Sequence, residues 1–288
     1  MNKILLQLDS DKHPSVFDAI TAYDAGADHV LTIGGVAVED VRALVYGAMF
    51  TRGGDELKNS AVFIGGSDVA VGEAMLKAAT EAFFGPVRVS VMMDANGCNT
   101  TAAAAVAKMV AVGDVTGQKV VILAGTGPVG LRAAAFFAAE GAQVTITSRK
   151  LERAEAACAA IRERFGVEVS AAGAANEEEV RRVLDGAYAA LCAGAAGVTL
   201  LPEATWTAHP TLRVLGDVNA VPPLGIEGIK PHWNGKEREG KVIFGALGIG
   251  GRKMKLHRGC VARLFEQNDL VLDAEAVYAT AKGMESDQ

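Results

Sequence analysis

The strongest chemical signal in the sequence is a glycine loop in the segment VVILAGTGPVGLRAAAFFAAEG. Gly125, Gly127 and Gly130 have the spacing G-x-G-x-x-G, with an apolar strand pattern before them and an alanine-rich helix pattern after them. This context is typical of dinucleotide-binding turns, in which the second glycine lets the backbone approach a pyrophosphate at the start of a helix. An ordinary glycine turn between a strand and a helix is the alternative. The predicted cofactor-binding residues of the turn are Gly125, Thr126, Gly127, Pro128, Val129 and Gly130.

The residues at the end of the next predicted strand indicate which nucleotide this turn holds. Many NAD-binding proteins place an acidic side chain there, which accepts hydrogen bonds from the ribose 2′-hydroxyl. This sequence has Ser148, Arg149 and Lys150 instead. A hydroxyl, a guanidinium and an ammonium group can bind a 2′-phosphate, so the segment favours NADP over NAD. The alternative is a solvated basic start to the helix LERAEAACAAIRERF.

A second candidate site lies in the segment GGRKMKLHRGCVARLFEQ, close to the C-terminus. As a helix, this segment places Lys253 and His257 on a stripe that is otherwise apolar, whereas Lys255 points away from it. Two steps along a helix rotate a side chain by about 200°, so the two lysines cannot share a face. Polar groups on a buried face need partners or a chemical role. The alternatives are a lysine that extends its ammonium group to solvent and a hydrogen-bonded core histidine.

Two predicted helix starts follow strands, at the sheet edge where open α/β proteins bind ligands. In HPSVFDAI, Ser15 is the expected N-cap, and Phe17 lies near the exposed entrance of the helix. Ordinary packing of Phe17 is the alternative to a ligand contact. In MMDANGCNTTAAAA, Asn99, Thr100 and Thr101 stand at a second helix entrance, and one of them must be a simple cap.

A third loop, GDVNAVPPLGIEGI, follows the last strong strand pattern of the sequence. Asp217 and Asn219 in this loop could reach a nicotinamide ring or a substrate, and Asn219 is the predicted cofactor-binding residue. Prolines and glycines that merely fix an irregular loop are the alternative.

Composition limits the classes of function. The 288 residues are 50% hydrophobic and include 33 glycines, which suits an α/β protein with a sizeable core. A net charge of −6 argues against a general nucleic-acid or membrane-surface binder. The four cysteines form no C-x-x-C pair and no short His/Cys cluster, so no metal site is expected and the thiols indicate a reducing compartment. The N-terminal segment MNKILLQLDSD does not resemble a signal peptide, and no segment is expected to span a membrane, so the expected location is the cytoplasm.

Short apolar strands alternate with helical patterns, which predicts mainly parallel sheets. The predicted fold is α/β with two domains. A smaller parallel α/β domain comprises residues 1–113 and is completed by C-terminal helices within 252–288, and a Rossmann-type nucleotide domain comprises residues 114–251. The strand patterns are KILLQL, HVLTI, AVFIGG and VRVSVMM in the first domain, and KVVILAG, QVTITS, VEVSAA, YAALCAG and LRVLGDV in the second.

Motifs distributed over essentially the whole chain resemble those of one family. They are PSVFD, DAGADH, FTRGG, NGCNTTAAA, LAGTGPVG, DVNAVPPLGI and FGALGIGG-x-K-x-KLHR. The chain is thereby similar to the NADP-dependent methylene-tetrahydromethanopterin dehydrogenases of methylotrophic bacteria, which also act on methylene-tetrahydrofolate. The resemblance implies a fold related to methylene-tetrahydrofolate dehydrogenases, with a pterin cleft between the domains. It also places Phe17, Thr101, Lys253 and His257 where the family's proposed active-site residues fall.

The implied chemistry accounts for an absence in the sequence, which shows no evident Ser/His/Asp triad, carboxylate pair or metal cluster. Removing a hydride from a methylene bridge between two nitrogens needs none of these, because the nitrogen lone pairs stabilise the methenyl cation and the cofactor carries the chemistry. The resemblance implies NADP as cofactor, methylene-tetrahydromethanopterin or methylene-tetrahydrofolate as substrate, and a homo-oligomer such as a trimer. The net charge of −6 indicates that neither nucleic acid nor a membrane is a partner. Two alternatives stay open. One is a dehydrogenase that also has cyclohydrolase activity, with His257 as the base, and the other is a non-catalytic NADP-binding sensor.

Overall fold

The computed structural model describes residues 1–284 of the chain, which alternate between strands and helices. The strands are β1 (Ile4–Asp9), β2 (His29–Ile33), β3 (Ser60–Gly65), β4 (Ser90–Met93), β5 (Lys119–Leu123), β6 (Gln143–Ser148), β7 (Ser170–Gly173), β8 (Ala189–Cys192), β9 (Val214–Asp217), β10 (Asn234–Arg238), β11 (Lys241–Phe244) and β12 (Val271–Leu272). The α-helices are α1 (Val16–Asp24), α2 (Val41–Met49), α3 (Val69–Glu81), α4 (Cys98–Val110), α5 (Pro128–Ala139), α6 (Leu151–Phe165), α7 (Glu177–Leu184), α8 (Glu203–Thr207), α9 (Ala246–Arg263) and α10 (Ala274–Gly283).

The chain forms two compact units. The first consists of Met1–Thr100 and Met254–Met284, and the second of Thr101–Lys253. The chain therefore passes from one unit to the other inside α4 and returns inside α9. Most of α4, which the sequence suggested as the end of the first domain, belongs to the second unit.

The packing of α4 gives the reason. The sulfur of Met109 lies 2.7 Å from the position that a Cβ would take on Gly216 of β9, so the Met109 side chain packs closely on this glycine. The ammonium group of Lys108 donates a hydrogen bond of 2.9 Å to the Oδ1 atom of Asn234 in β10. These contacts tie α4 to the sheet of the second unit.

The first unit contains a five-stranded parallel sheet with the order β12-β4-β3-β1-β2. Every residue of β3 and β4 is buried, as expected of central strands in a parallel sheet covered on both faces. One face of β1 packs Leu6 and Leu8 into the main apolar cluster, together with residues of α2 and α3. The other face carries Gln7 and Asp9, which are also buried, so this face becomes polar towards the carboxyl end of the strand.

The second unit contains a seven-stranded sheet with the order β10-β11-β9-β8-β5-β6-β7, parallel except for the β10–β11 pair. All nine strands predicted from the sequence are present, and the predicted α/β class is confirmed. Three short strands, β10, β11 and β12, were not predicted. The sequence of β10, NGKER, has no apolar alternation, and this exposed strand forms through its hydrogen-bonded pairing with β11.

Helix α9 begins at Ala246, before the segment GGRKMKLHRGCVARLFEQ in which the sequence predicted a helix. Its first turns contain Gly248, Gly250 and Gly251, which helix propensity disfavours. A Cβ on Gly248 would collide with the carbonyl oxygen of Trp233, so the close approach of the helix to this loop requires a glycine. Tertiary packing has therefore overridden local propensity here. Within residues 1–284, no helix combines the length and apolar character that a membrane span requires.

Candidate functional site

The glycine loop connects β5 to α5 at the centre of the second unit's sheet. β5 lies between β6 and β8, and the chain proceeds to β6 and β7 on one side before it reaches β8 and β9 on the other. This is the point of an open parallel sheet at which ligands bind beyond the carboxyl ends of the strands. Thr147 of β6 holds the loop, because its hydroxyl accepts from the N–H of Ala124 at 3.0 Å and its carbonyl accepts from that of Gly125 at 3.0 Å.

A glycine is suited to each of the three positions of the loop for a different physical reason. A Cβ on Gly130 would lie 2.5 Å from the carbonyl oxygen of Gly125, and a Cβ on Gly125 would lie 2.9 Å from the Ile122 side chain. These two glycines therefore permit close packing of strand, turn and helix. A Cβ on Gly127 would meet no atom within 4 Å, so this residue leaves open space at the start of α5.

The amino end of α5 is suited to an anion. Gly127 is its N-cap residue and gives no side-chain cap bond, and Pro128 follows at the first helical position. The first-turn N–H groups therefore have no side-chain acceptor at the cap, and the helix dipole adds positive potential there. Ala124, two residues after Ile122, adopts a left-handed backbone with φ of 52°, which is uncommon for a residue with a side chain. The loop thus fits the pyrophosphate of a dinucleotide.

A pocket of about 350 Å³ lies at this end of the sheet. Thr126 and Gly127 line it from the glycine loop, Ser148 and Arg149 from the end of β6, and Arg153 from the first turn of α6. The pocket also contains the segment 193–195, which follows β8. The predicted glycine turn and the predicted 2′-phosphate residues Ser148 and Arg149 are therefore brought to one place.

The predicted residue Lys150 does not line the pocket, whereas Arg153, which was not predicted, does. Lys150 is exposed and is the N-cap of α6, where its carbonyl accepts from the N–H of Arg153 at 3.1 Å. Arg153, which the sequence analysis did not single out, lines the pocket with Arg149. The spacing of four residues between the two arginines, across a predicted helix start, was the signal that could have identified it.

The loop after β9 is organised by the two polar residues predicted to reach a ligand. Asp217 is fully buried and accepts from the N–H groups of Asn219 at 2.9 Å and Ile226 at 3.0 Å, and burial raises the pKa of its carboxyl. The Asn219 amide donates to the Pro223 carbonyl at 3.2 Å and accepts from the N–H of Val221 at 2.9 Å. Both side chains thus hold their own loop, and contact of Asn219 with a nicotinamide stays a prediction.

In the first unit, His257 of α9 lies among two aromatic rings and two carboxylates. Its ring is 1% exposed, stacks on Phe63 with centroids 5.4 Å apart, and meets Phe17 edge-on at 6.1 Å. Its Nδ1 atom lies 3.5 Å from Oδ2 of Asp94, and its Nε2 atom lies 3.9 Å from Oδ1 of Asp18. The structure therefore brings together two of the predicted residues, Phe17 and His257, and adds two acidic residues that the sequence analysis did not assign to the site.

Asp94 also forms the cap of α4. Its Oδ1 atom accepts from the N–H groups of Asn99 at 2.9 Å and Thr100 at 3.1 Å, and its Oδ2 atom accepts from the Thr100 hydroxyl at 2.6 Å. Asn99 donates its side-chain amide to the Met93 carbonyl at 2.6 Å. Asn99 and Thr100 are buried in these structural contacts, whereas Thr101 is half-buried. Asp94 follows β4 directly, and this position at the carboxyl end of a central strand was the available signal for it.

The remaining predicted residues lie at the two points where the chain passes between units. Thr101 is the first residue of the second unit and Lys253 is its last. In α9, Lys253 is half-buried and Lys255 is exposed, while His257 is buried. Phe17, near the start of α1, keeps 48% of its surface exposed. Among residues 1–284, no group of three or more His, Cys, Asp and Glu side chains is arranged to hold a metal ion.

Comparison with known proteins gives the family. Residues 16–96 match the family described as methylene-tetrahydromethanopterin dehydrogenase, N-terminal. The chain is 50% identical over 284 residues to a Methylorubrum extorquens protein named bifunctional protein MdtA, covering 98% of this chain and 99% of that protein. It is 34% identical over 292 residues to the NAD(P)-dependent methylenetetrahydromethanopterin dehydrogenase of the same organism, covering 96% and 97%.

The fold has wider relatives. The structure of quinate dehydrogenase from Corynebacterium glutamicum in complex with NAD matches with a TM-score of 0.56 at 14% identity, covering 97% of this chain and 99% of that chain. At this identity the match concerns the fold alone. The two relatives from Methylorubrum extorquens, each aligned over nearly the full chain, decide the family. The chain belongs to the methylene-tetrahydromethanopterin dehydrogenase family.

Proposed function

We propose that the protein is an NADP-dependent dehydrogenase that reversibly transfers a hydride from the methylene bridge of methylene-tetrahydromethanopterin to the nucleotide. The product is the methenyl pterin, and methylene-tetrahydrofolate is a second substrate with the same reacting bridge. The observation that carries the proposal is 50% identity to a family member over 98% of the chain. The reaction belongs to one-carbon metabolism.

The nucleotide side of the site is formed by residues of one pocket. The open space at Gly127 and the uncapped start of α5 suit the pyrophosphate. Ser148, Arg149 and Arg153 offer a hydroxyl and two guanidinium groups to a 2′-phosphate, with Lys150 as a more exposed positive charge beside them. These residues fit NADP, which supplies the hydride acceptor when it is bound.

On the pterin side, the proposed residues are Phe17, Thr101, Lys253 and His257. The half-exposed ring of Phe17 offers an apolar surface to a planar pterin. Thr101 and Lys253 are half-buried polar groups that can hydrogen-bond to the pterin, and His257 lies against the ring of Phe17. Lys253 serves as an anchor, since a positive charge next to the forming methenyl cation would oppose the oxidation.

The hydride transfer requires mainly that the protein position the pterin and the nucleotide. The two nitrogens that flank the methylene carbon stabilise the cation as the hydride leaves, and no proton is abstracted in that step. The protein therefore contributes by holding the reacting carbon in the productive geometry and by excluding competing reactions. No general base is required, in agreement with the roles of Phe17, Thr101 and Lys253 as binding residues.

The test is an assay with the purified protein, both methylene pterins and both nucleotides, followed at the absorbance band of reduced nicotinamide. We expect turnover with NADP and methylene-tetrahydromethanopterin. Nucleotide binding without turnover on either pterin would instead identify a non-catalytic NADP sensor. Loss of the methenyl-pterin absorbance in the absence of nucleotide would reveal cyclohydrolase activity in addition.

Domain roles and assembly are part of the same proposal. We infer that residues 1–113 with 252–288 serve the pterin, and that residues 114–251 serve the nucleotide, since the pocket residues from Leu123 to Leu200 all lie in the latter range. We expect a homo-oligomer such as a trimer. We also expect it in the cytoplasm, a reducing compartment, in keeping with four free cysteines. Light scattering that gives the mass of a single chain at working concentration would contradict the assembly.

A further inference from the structure

Asp94 connects two elements of the first unit through different oxygen atoms of one carboxylate. Its Oδ1 atom accepts two backbone N–H groups at the start of α4, from Asn99 at 2.9 Å and from Thr100 at 3.1 Å. Its Oδ2 atom accepts the Thr100 hydroxyl at 2.6 Å and lies 3.5 Å from Nδ1 of His257 on α9. The carboxylate is completely buried, so these donors must offset the loss of its hydration.

The orientation of the Asp94 carboxylate is fixed independently of His257. Three donors from residues 99 and 100 hold both of its oxygens, namely two backbone N–H groups and the Thr100 hydroxyl. An ionised carboxylate is an acceptor only. The nearest His257 atom is Nδ1, 3.5 Å from Oδ2, which is longer than a well-formed hydrogen bond. A hydrogen on Nδ1 is the arrangement that suits a carboxylate that can only accept.

Two aromatic rings and a second carboxylate also surround the His257 ring. The ring of Phe63 stacks on the imidazole at an interplanar angle of 25°, and Phe17 meets it at 74°. Asp18 lies beyond the opposite nitrogen, with its Oδ1 atom 3.9 Å from Nε2. The Asp94 contact is the shorter of these two carboxylate contacts.

We propose that Asp94 is a positioning residue that fixes the hydrogen of His257 on Nδ1. By the same contact it couples α9 to the first turn of α4, the turn that also carries Thr101. One carboxylate then sets the orientation of His257 directly, and that of Phe17 through the edge-on ring contact. Its effect on turnover rests on the proposed function, in which these side chains bind the pterin. Groups that orient metal-ligating histidines change affinity or activity by about 10–100-fold when they are removed, and we expect a loss of similar size for this histidine.

The variant Asp94→Asn separates the two tasks of this side chain. Its remaining carbonyl oxygen can still accept both N–H groups at the start of α4, whereas its amide group presents a donor where Oδ2 stood. Facing a donor, the His257 ring must place a lone pair on Nδ1 and its hydrogen on Nε2. The matched control is Asp68→Asn, because the Oδ1 atom of Asp68 accepts two N–H groups at the start of α3, from Ala70 at 2.9 Å and Val71 at 3.1 Å.

The direct readout is the ¹⁵N spectrum of the histidine side chains in the full-length protein. The chain has five histidines, and His257→Gln assigns the signal of interest. We expect a hydrogen-bearing Nδ1 in the unsubstituted protein and a hydrogen-free Nδ1 in Asp94→Asn. A hydrogen-free Nδ1 in the unsubstituted protein overturns the proposal, and this result does not depend on whether Asp94→Asn folds.

Kinetics supply the second readout. We expect Asp94→Asn to lower kcat with methylene-tetrahydromethanopterin by at least about tenfold, with KM for NADP unchanged and the fold intact by circular dichroism. Asp68→Asn should keep full turnover. Equal losses in the two variants would show that a general weakening of helix caps is responsible, which overturns the positioning role. If the unsubstituted protein transfers no hydride, the proposed function fails, and the ¹⁵N spectrum still decides the role of Asp94.

Discussion

Lys253 and Lys255 lie on different sides of α9, with Lys253 half-buried and Lys255 exposed. His257, one turn beyond Lys253, is buried on the same stripe. We expect Lys253→Ala to lower turnover by at least about tenfold, equivalent to about 1.4 kcal/mol of lost transition-state stabilisation, and to leave NADP affinity nearly unchanged. Lys255→Ala should behave almost like the unsubstituted protein, because a solvated surface charge matters by less than about 0.5 kcal/mol. An inactive Lys255→Ala variant together with an active Lys253→Ala variant would contradict the assignment of Lys253 to the site.

Arg149 and Arg153 should determine the preference for NADP. Each can give a charge-assisted contact to a 2′-phosphate, worth about 1.5–3 kcal/mol, so replacing either by Ala should weaken NADP binding by roughly tenfold or more. NAD, which has no 2′-phosphate, should bind each variant as it binds the unsubstituted protein. Titration calorimetry with both nucleotides measures the difference. Lys150→Ala, from the more exposed neighbour, should have the smaller effect, and equal losses for both nucleotides would exclude the arginines as 2′-phosphate ligands.

Two glycines of the dinucleotide turn should separate binding from folding. In Gly127→Ala the new methyl group meets no protein atom and the φ of −87° suits alanine, so stability should be unchanged while NADP binding weakens because the methyl group occupies space at the pyrophosphate. In Gly130→Ala the methyl group meets the backbone of Gly125, which should lower the unfolding free energy by about 1–3 kcal/mol. Thermal unfolding and nucleotide titration of both variants test this. A strongly destabilised Gly127→Ala would show that this glycine serves the fold.

Cys260 should make the protein less stable in alkali. Burial, and then the negative charge of Asp94, raise the pKa of its thiol from the ordinary 9.0 to about 12. Because the folded-state pKa is the higher one, the stabilisation is fully present below pH 9 and is lost as the pH rises towards 12. At pH 10, one unit above the unfolded value, the loss is about 1.4 kcal/mol.

Urea unfolding at pH 8 and pH 10 under reducing conditions measures this loss. The unfolding free energy of the unsubstituted protein should fall by about 1.4 kcal/mol more than that of Cys260→Ala between the two pH values. Cys260→Ala also leaves a cavity, which lowers its unfolding free energy. Because this cost is the same at both pH values, it cancels when the change between pH 8 and pH 10 is compared for the two proteins. An equal fall in unfolding free energy for the two proteins would show that Cys260 does not cause the loss of stability in alkali.

Local patterns were sufficient for much of the fold. The nine predicted strands, the α/β class and the turn from β5 into α5 depend on apolar runs, periodicity and glycine spacing, all of which act over a few residues. The strands β10 and β11 and the early start of α9 were not predicted, because they depend on tertiary contacts. Their stability comes from strand pairing and from the close approach of Gly248 to the Trp233 loop, and neither leaves a local pattern.

The candidate site divides in the same way. The sequence by itself determined the glycine turn, the basic residues that replace the usual acid, and the helical stripe shared by Lys253 and His257. Only the tertiary structure decided that Arg153 lines the nucleotide pocket and that Asp94 faces His257, which is 163 positions further along the chain. Asp94 follows the carboxyl end of β4, whereas His257 lies within α9 and stacks on Phe63 of β3. The two residues meet because this part of α9 packs against the sheet of the first unit, and no local spacing encodes that packing.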